Sequence, residues 1–568
     1  MVWTKRRDGV LDHFLSDTVR GAVNLLSPNA TSASSVGTRI ESFTPTGFTG
    51  TDNAGGSFVS WTFKKAPKFF DVVTFTGIGT FNHSLGSVPG MIIFKRTDGL
   101  ENWQVYHKDT SNGVLYLNTT GAYSAVGSIT TATSTTFTST AFASAGWNYV
   151  AYLFAHDTSA NGLIQCGSFT TDASGNATVS LGWEPQYLLY KTSSTTGNWQ
   201  ISDTARGFTV GNTSINLNPN TTAAEAAAYM FGPTATGFGN TATGQFAAST
   251  TYIYMAIRRP NKPPTLGTQV YKAIDRTGTS AVATVTGVGF APDALLCCIR
   301  SAAGGNVLAT MLVGSGRSLF TPSTAAEQAD AAGITAFGPD GVSFGADGTW
   351  TRFNWSYSYV NHFFKRAPGV FDVVCYTGTG SAIPTIPHGL GVVPELMIVK
   401  RRALNDWVVY AAPLGNTQYL YLESTNGQQT GAFWNNTTPT TTSFSVGGGS
   451  LSNTDGYVVY LFATKAGISK VGSYTGDGTT GQTVNCGFTT GARFILIKRT
   501  NTTGDWYVWN SVRGIVAGND PHLSLNTALT EVATDDSIDP DTSGFIVNQI
   551  AATDVNVTSA TYIYLAFA

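Results

Sequence analysis

The sequence predicts an all-β protein made of tandem β-sandwich units. Three observations carry that reading: the composition, strand-sized apolar runs separated by turn residues, and self-similarity along the chain. Of the 568 residues only 12% are charged, 12% are aromatic, and 63 are glycine. Roughly a quarter charged residues is usual in soluble proteins, and long amphipathic helices need more Glu, Lys, Ala and Leu than stand here. β-Branched and aromatic side chains suit strands, and glycine turns them. The 32 basic and 34 acidic side chains leave a net charge of −2. That balance lacks the basic face of a nucleic-acid binder, so no nucleic-acid partner is expected.

A single core stops growing near roughly 250–300 residues, so a chain of this length needs several. No stretch approaches the roughly 18 uninterrupted apolar residues of a membrane helix, and no membrane insertion is expected. Lys5, Arg6 and Arg7 place charge where an export signal needs an apolar segment. Five cysteines stand at positions 166, 297, 298, 375 and 486. Cys375 occupies the place of Thr74 in a repeated Asp-Val-Val motif, which reads as a small apolar residue. None shows paired zinc-ligand spacing, so no metal and no cofactor is expected.

Taken in order through one unit, the strands fall at 371–376, 382–388, 395–400, 407–411, 419–423, 442–446 and 457–462. Gly, Asn, Thr and Pro separate them at the spacing of a sandwich. The run Leu396-Met397-Ile398-Val399 alternates poorly and reads as a central strand packed on both faces. Its lysine, Lys400, precedes Trp407, as Lys95 precedes Trp103, Lys191 precedes Trp199 and Lys498 precedes Trp506. At 292–300 the tryptophan is missing, and Arg300 is read as replacing the lysine. Each copy ends in an aromatic strand such as Tyr457 to Phe462. The expected units are 1–67, 68–158, 159–266, 267–368, 369–466 and 467–568, jelly-roll-like and of about 100 residues each, the first truncated.

A longer period overlies the short one. Phe70 returns as Phe371, His83 as His388 and Tyr252 as Tyr562, at offsets of 301, 305 and 310. The chain therefore reads as two blocks of three units. A six-bladed propeller would need blades of four strands in about 40–50 residues, half of what each unit offers, so separate modules are expected. The first unit has no counterpart of 70–85, and its open sheet edge is expected to be covered by another chain.

The turn motif Asp17-x-x-Arg20-Gly21 returns at Asp203-x-x-Arg206-Gly207 and as Asn510-x-x-Arg513-Gly514, with Gly316 and Arg317 as a degenerate copy. Its Asx side chain is expected to cap the turn and its glycine to take a positive φ; ligand binding by the arginine is the alternative. His83 and His388 share one position and read as hairpin caps. Recurrent Trp103, Trp199, Trp407 and Trp506 read as packing residues. The acidic run Asp535, Asp536, Asp539 and Asp541 reads as a solvated loop, with a weak Ca²⁺ site as the alternative. Asn-x-Ser/Thr sites at Asn118, Asn176, Asn212, Asn436 and Asn556 read as turns. No paired carboxylates, nucleophile elbow or phosphate loop stands out, so no enzyme and no catalytic residue is expected.

Val2-Trp3-Thr4-Lys5-Arg6-Arg7, the Asp17 to Gly21 turn, Gly47-Phe48-Thr49, Phe58-Val59-Ser60-Trp61, Gly472 to Gly476 and Gly504 to Trp509 together resemble a repeat family of tailed bacteriophages. That family is common in marine and cyanobacterial phage tail-fibre-like virion proteins and is mostly of unassigned function. The resemblance implies a structural protein of the virion tail, made in the host cytoplasm. It also implies other tail proteins as partners and a homo-oligomer, trimer or hexamer. Host-surface attachment through glycan contacts is the expected role, with the variable loops 110–127 and 424–436 carrying recognition. A purely architectural piece of capsid, collar or baseplate is the alternative, and a polysaccharide depolymerase a more distant one.

Overall fold

The computed structural model describes residues 1–51, 55–110, 113–125, 129–140, 146–211, 213–240, 244–346 and 353–568. The chain is all-β, with many antiparallel sheets and three short 3₁₀ turns among the described residues. Six larger sheets share one plan. In the fifth, an opening strand Phe371–Thr377 pairs with the closing strand Gly456–Phe462. That strand pairs with the central Leu396–Arg401, which pairs with Trp407–Ala411 and then Gln418–Tyr421. These bounds lie within two residues of the expected ones. The central strand is buried at Leu396 to Lys400, as its unbroken apolar run requires.

A smaller sheet packs against the second to sixth larger sheets and makes a sandwich of each. In the sixth, Thr480–Asn485, Gly544–Asn548 and Ile538–Asp541 form that second layer. Val484, Phe545 and Val547 from it share a core with Ile495, Ile497 and Tyr562. The opposite face of each larger sheet is buried too. Toward the N-terminus a continuous core holds Trp3 and Leu15 of the first sheet, Ile93 and Tyr152 of the second, and Leu189 and Ile201 of the third.

Separate beads are therefore not what forms. The chain makes two compact bodies, Met1–Arg259 and Pro260–Ala568, each holding three larger sheets. The recurrent tryptophans show why. In the N-terminal body Trp103 Nε1 donates to Ser27 O of the first sheet (2.8 Å), and Trp199 Nε1 donates to Tyr116 O of the second (2.9 Å). His13 holds the equivalent place in the first sheet. Its Nδ1 accepts from Trp3 Nε1, so Nε2 carries the proton and donates to Asn218 O of the third (3.2 Å). The cycle closes. In the C-terminal body Trp407 donates to Phe320 O, Trp506 to Tyr421 O, and Asn306 Nδ2 to Ser524 O.

A lysine reinforces each of these joints but one. Lys5, Lys95, Lys191, Lys400 and Lys498 donate to the carbonyls of Thr222, Thr31, Thr120, Thr324 and Thr425 in the neighbouring sheet. All five are buried, and burial lowers their pKa to about 8. The strand register corrects the expectation for the fourth sheet. Lys400 faces Val458 and Trp407, while Cys298 faces Val360 and Asn306. Cys298, not Arg300, thus stands in the lysine place. Without a tryptophan as anchor, the repeat register read from sequence slips by two residues.

This closure has a measurable consequence. Trp407→Phe leaves the carbonyls of Phe320 and Ser323 without their indole donor in a part-buried joint, at a cost of about 1–2 kcal/mol. Hydrogen exchange is expected to speed up in the fourth and sixth sheets as well as the fifth. Acceleration confined to residues 369–466 would show that the sheets are independent after all.

Candidate functional site

The Asp-x-x-Arg-Gly turns are joints between sheets. Asp17 Oδ1 accepts from the amides of Val19 and Arg20, and Gly21 takes φ 95°. Arg20 Nε reaches Asp17 Oδ2 at 2.7 Å, and Tyr152 of the second sheet donates to the same oxygen at 2.8 Å. At Asp203 the pattern repeats, with Arg206 Nε at 2.6 Å and Trp61 Nε1 of the first sheet at 2.9 Å. In the sixth sheet Asn510 still caps the turn, but its amide offers no second carboxylate oxygen. Arg513 turns to Glu531 instead (2.7 Å), which also holds Arg300 of the fourth sheet. The side chains of Arg20, Arg206 and Arg513 are all buried in these joints.

The two hairpin histidines behave alike. His83 Nε2 lies 3.2 Å from Thr133 O, and its Nδ1 accepts from the Leu85 amide. His388 does the same with Thr440 and Leu390. Nδ1 is thereby the acceptor and the ring neutral, as burial, the main cause of their lowered pKa, also requires. The recurrent tryptophans are fully buried and pack as expected. The acidic run enters the strand Ile538–Asp541, and its carboxylates accept hydrogen bonds from side chains: Asn548 Nδ2 bridges Asp536 and Asp539, and the Ser543 hydroxyl donates to Asp541. Among the described residues no three or more His, Cys, Asp or Glu converge as a metal site. Burial lifts the nearby Asp520 to about 7, with the charges of Asp536 and Asp539 adding to it.

The loops expected to carry recognition are gripped by their neighbours. Thr120 and Tyr123 bond Lys191 and Ser193, while Thr425 and Gln428 bond Lys498 and Thr500. Trp434 is fully buried against Tyr410 and donates to Gln418 O. Residues 111–112 and 126–127 of the first loop, and Asn212, lie outside the described residues.

Among the described residues, open grooves on the C-terminal body include two of note. One, of about 490 Å³, runs between Leu414 and Gln428 on one side and Ser473, Thr475 and Thr561 on the other. The last three are exposed. Tyr474 also lines it, its ring stacked on Tyr562 at 4.8 Å and its hydroxyl tied to Val555 O at 2.6 Å. Both rings pack into the core beneath, so the groove presents hydroxyl and amide groups, which suit a polyhydroxylated ligand. The second groove, of about 590 Å³, has an apolar floor at Val288 and Phe290 and is bordered by Lys262, Lys272 and Lys365. It offers positive charge to a carboxylate or phosphate. Neither groove is marked by a pattern in the sequence. Of their lining residues only Gln428 lies in a loop expected to carry recognition, because both grooves are assembled from residues distant in the chain.

A protein-family model described as a domain of unknown function, DUF7483, matches residues 1–260 and 267–568. The break between these segments falls where one compact body gives way to the next. No curated protein matches the chain, and no solved structure does.

Proposed function

The chain belongs to the DUF7483 family, and from that premise we propose that it is a non-enzymatic structural component of a tailed-phage virion. In this reading it is tail-fibre-like and attaches to the host surface through glycan. The resemblance of the repeats supports the virion assignment, with other tail proteins as partners and a symmetric homo-oligomer as the assembled form. The hydroxyl-lined groove beside Tyr474 supports the glycan assignment. Two bodies, each tied by cyclic bonds between sheets, suit a rigid component that bears load while presenting a binding surface. Several weak sites per particle gain avidity through effective concentration.

Titration calorimetry of the purified chain with isolated host-surface polysaccharide tests the reading. Saturable binding is expected, and the pair Gln428→Ala with Thr475→Ala is expected to weaken it on the order of tenfold, about 1.4 kcal/mol. Absence of binding to any surface polysaccharide of a susceptible host would favour a purely architectural role. Release of new reducing ends from that polysaccharide would overturn the non-enzymatic reading.

A further inference from the structure

We propose that the outer edge of the strand Phe58–Thr62 is a docking site for a seven-residue extended segment of a different polypeptide, added antiparallel as a sixth strand of the first sheet. The other five larger sheets show what belongs there. In each, the closing strand pairs on its outer side with an opening strand of seven residues: Phe70–Thr76, Ile164–Thr170, Tyr271–Thr277, Phe371–Thr377 or Ser469–Thr475. The closing strands so covered are buried almost throughout, for example Tyr149 to Ala155 and Tyr457 to Phe462. Phe58–Thr62 holds the equivalent place in the first sheet, paired with Val2–Arg6 on its inner side. Of its five residues only Trp61 is buried, and Ser60 and Thr62 are exposed.

The backbone polarity fits an incoming strand. Met1 and Phe63 exchange both bonds, and Arg7 N donates to Ser57 O. Bonding direction alternates along an antiparallel strand, so Ser57, Val59, Trp61 and Phe63 face inward. The amides and carbonyls of Phe58, Ser60 and Thr62 then face outward, and among the described residues no strand of the chain pairs with them. The five internal precedents define the occupant's chemistry. Their first and third residues are buried in every case: Phe70 and Val72, Ile164 and Cys166, Tyr271 and Ala273, Phe371 and Val373, Ser469 and Val471. Their seventh residue is threonine and exposed in every case. The partner strand therefore carries small or apolar side chains at its first and third positions and ends in a β-branched polar residue. Main-chain bonds supply the affinity and these two positions the specificity.

The test uses the full chain and a fluorescent synthetic peptide with the sequence of Phe70–Thr76, read by anisotropy. Saturable binding is expected, and Ser60→Pro and Thr62→Pro are each expected to weaken it on the order of tenfold or more. Proline there removes an outward N–H without touching the inner ladder. A peptide N-methylated on the amides that face the edge is expected not to bind, a readout that does not depend on how well the proline variants fold. Undiminished binding of the methylated peptide would overturn the proposal. So would a failure of the parent peptide to bind, or unchanged binding by proline variants that melt like wild type. Dimerisation that Thr62→Pro abolishes would overturn the assignment to a different polypeptide in favour of a second copy.

Discussion

Replacing Asp203 with alanine is expected to destabilise the N-terminal body by about 3–5 kcal/mol, the range found when one member of a buried ion pair is removed. Asp203 is buried and accepts from the Arg206 amide at 3.1 Å, from Arg206 Nε at 2.6 Å and from Trp61 Nε1 at 2.9 Å. Alanine leaves a guanidinium and an indole N–H in the interior. The remaining carboxylate, Glu225, is already engaged by Arg7 and lies 3.7 Å from Arg206. Because Trp61 belongs to the first sheet and Asp203 to the third, the loss is expected to loosen both. Asp203→Asn is expected to be milder, since Asn510 holds the same turn in the sixth sheet. Urea unfolding of the two variants measures the difference. A cost below about 1 kcal/mol for the alanine variant would mean the joint is solvated and the ring is held by packing alone.

Acid is expected to unfold the N-terminal body before the C-terminal one. Burial, with the Lys5 charge adding to it, pushes His13 down to about 3, and burial brings His107 down to about 4. Both are neutral in the fold, while the unfolded chain takes up their protons near pH 6.5. The stability they contribute is complete above pH 6.5 and is lost as pH falls toward 4, by about 3 kcal/mol for each residue. Glu101, raised by burial, partly opposes this. In the C-terminal body His362, His388 and His522 are likewise lowered, mainly by burial. There Asp520 and Glu423, both lifted to about 7 mainly by burial, act in the opposite sense. Their contribution is complete below the ordinary carboxylate range and is lost as pH rises through 7. His13→Asn, which copies Asn306 in the equivalent place, is expected to flatten the acid limb of the N-terminal body, where His83 and His156 are lowered by burial too, by about 3 kcal/mol at pH 4. Thermal unfolding between pH 8 and 4 checks it, and an unchanged slope would show that the His13 ring is not the group that titrates.

Much of the fold was legible because strand signals are local. Val, Ile and aromatic runs bounded by glycine and threonine mark the strands of the fifth sheet to within two residues, and the recurrence of Lys400 and Trp407 marks its central pair. The caps at Asp17 and His83 were legible for the same reason, since each bonds amides two or three residues away. The grooves were not. Gln428 and Thr561 are remote in sequence, and nothing in either segment indicates that the two line one surface.

The order of residues alone specifies an all-β chain with two blocks of recurring strands and one lysine and one tryptophan per typical copy. What those residues are for emerges from how the sheets pack. An indole N–H or an ammonium buried at a sheet surface must find an acceptor, and each finds it on the next sheet, so three sandwiches that could have stood apart close into one body. That outcome depends on which carbonyl lies within about 3 Å of the donor. Such a distance is set by how whole sheets pack, which no local pattern of residues records.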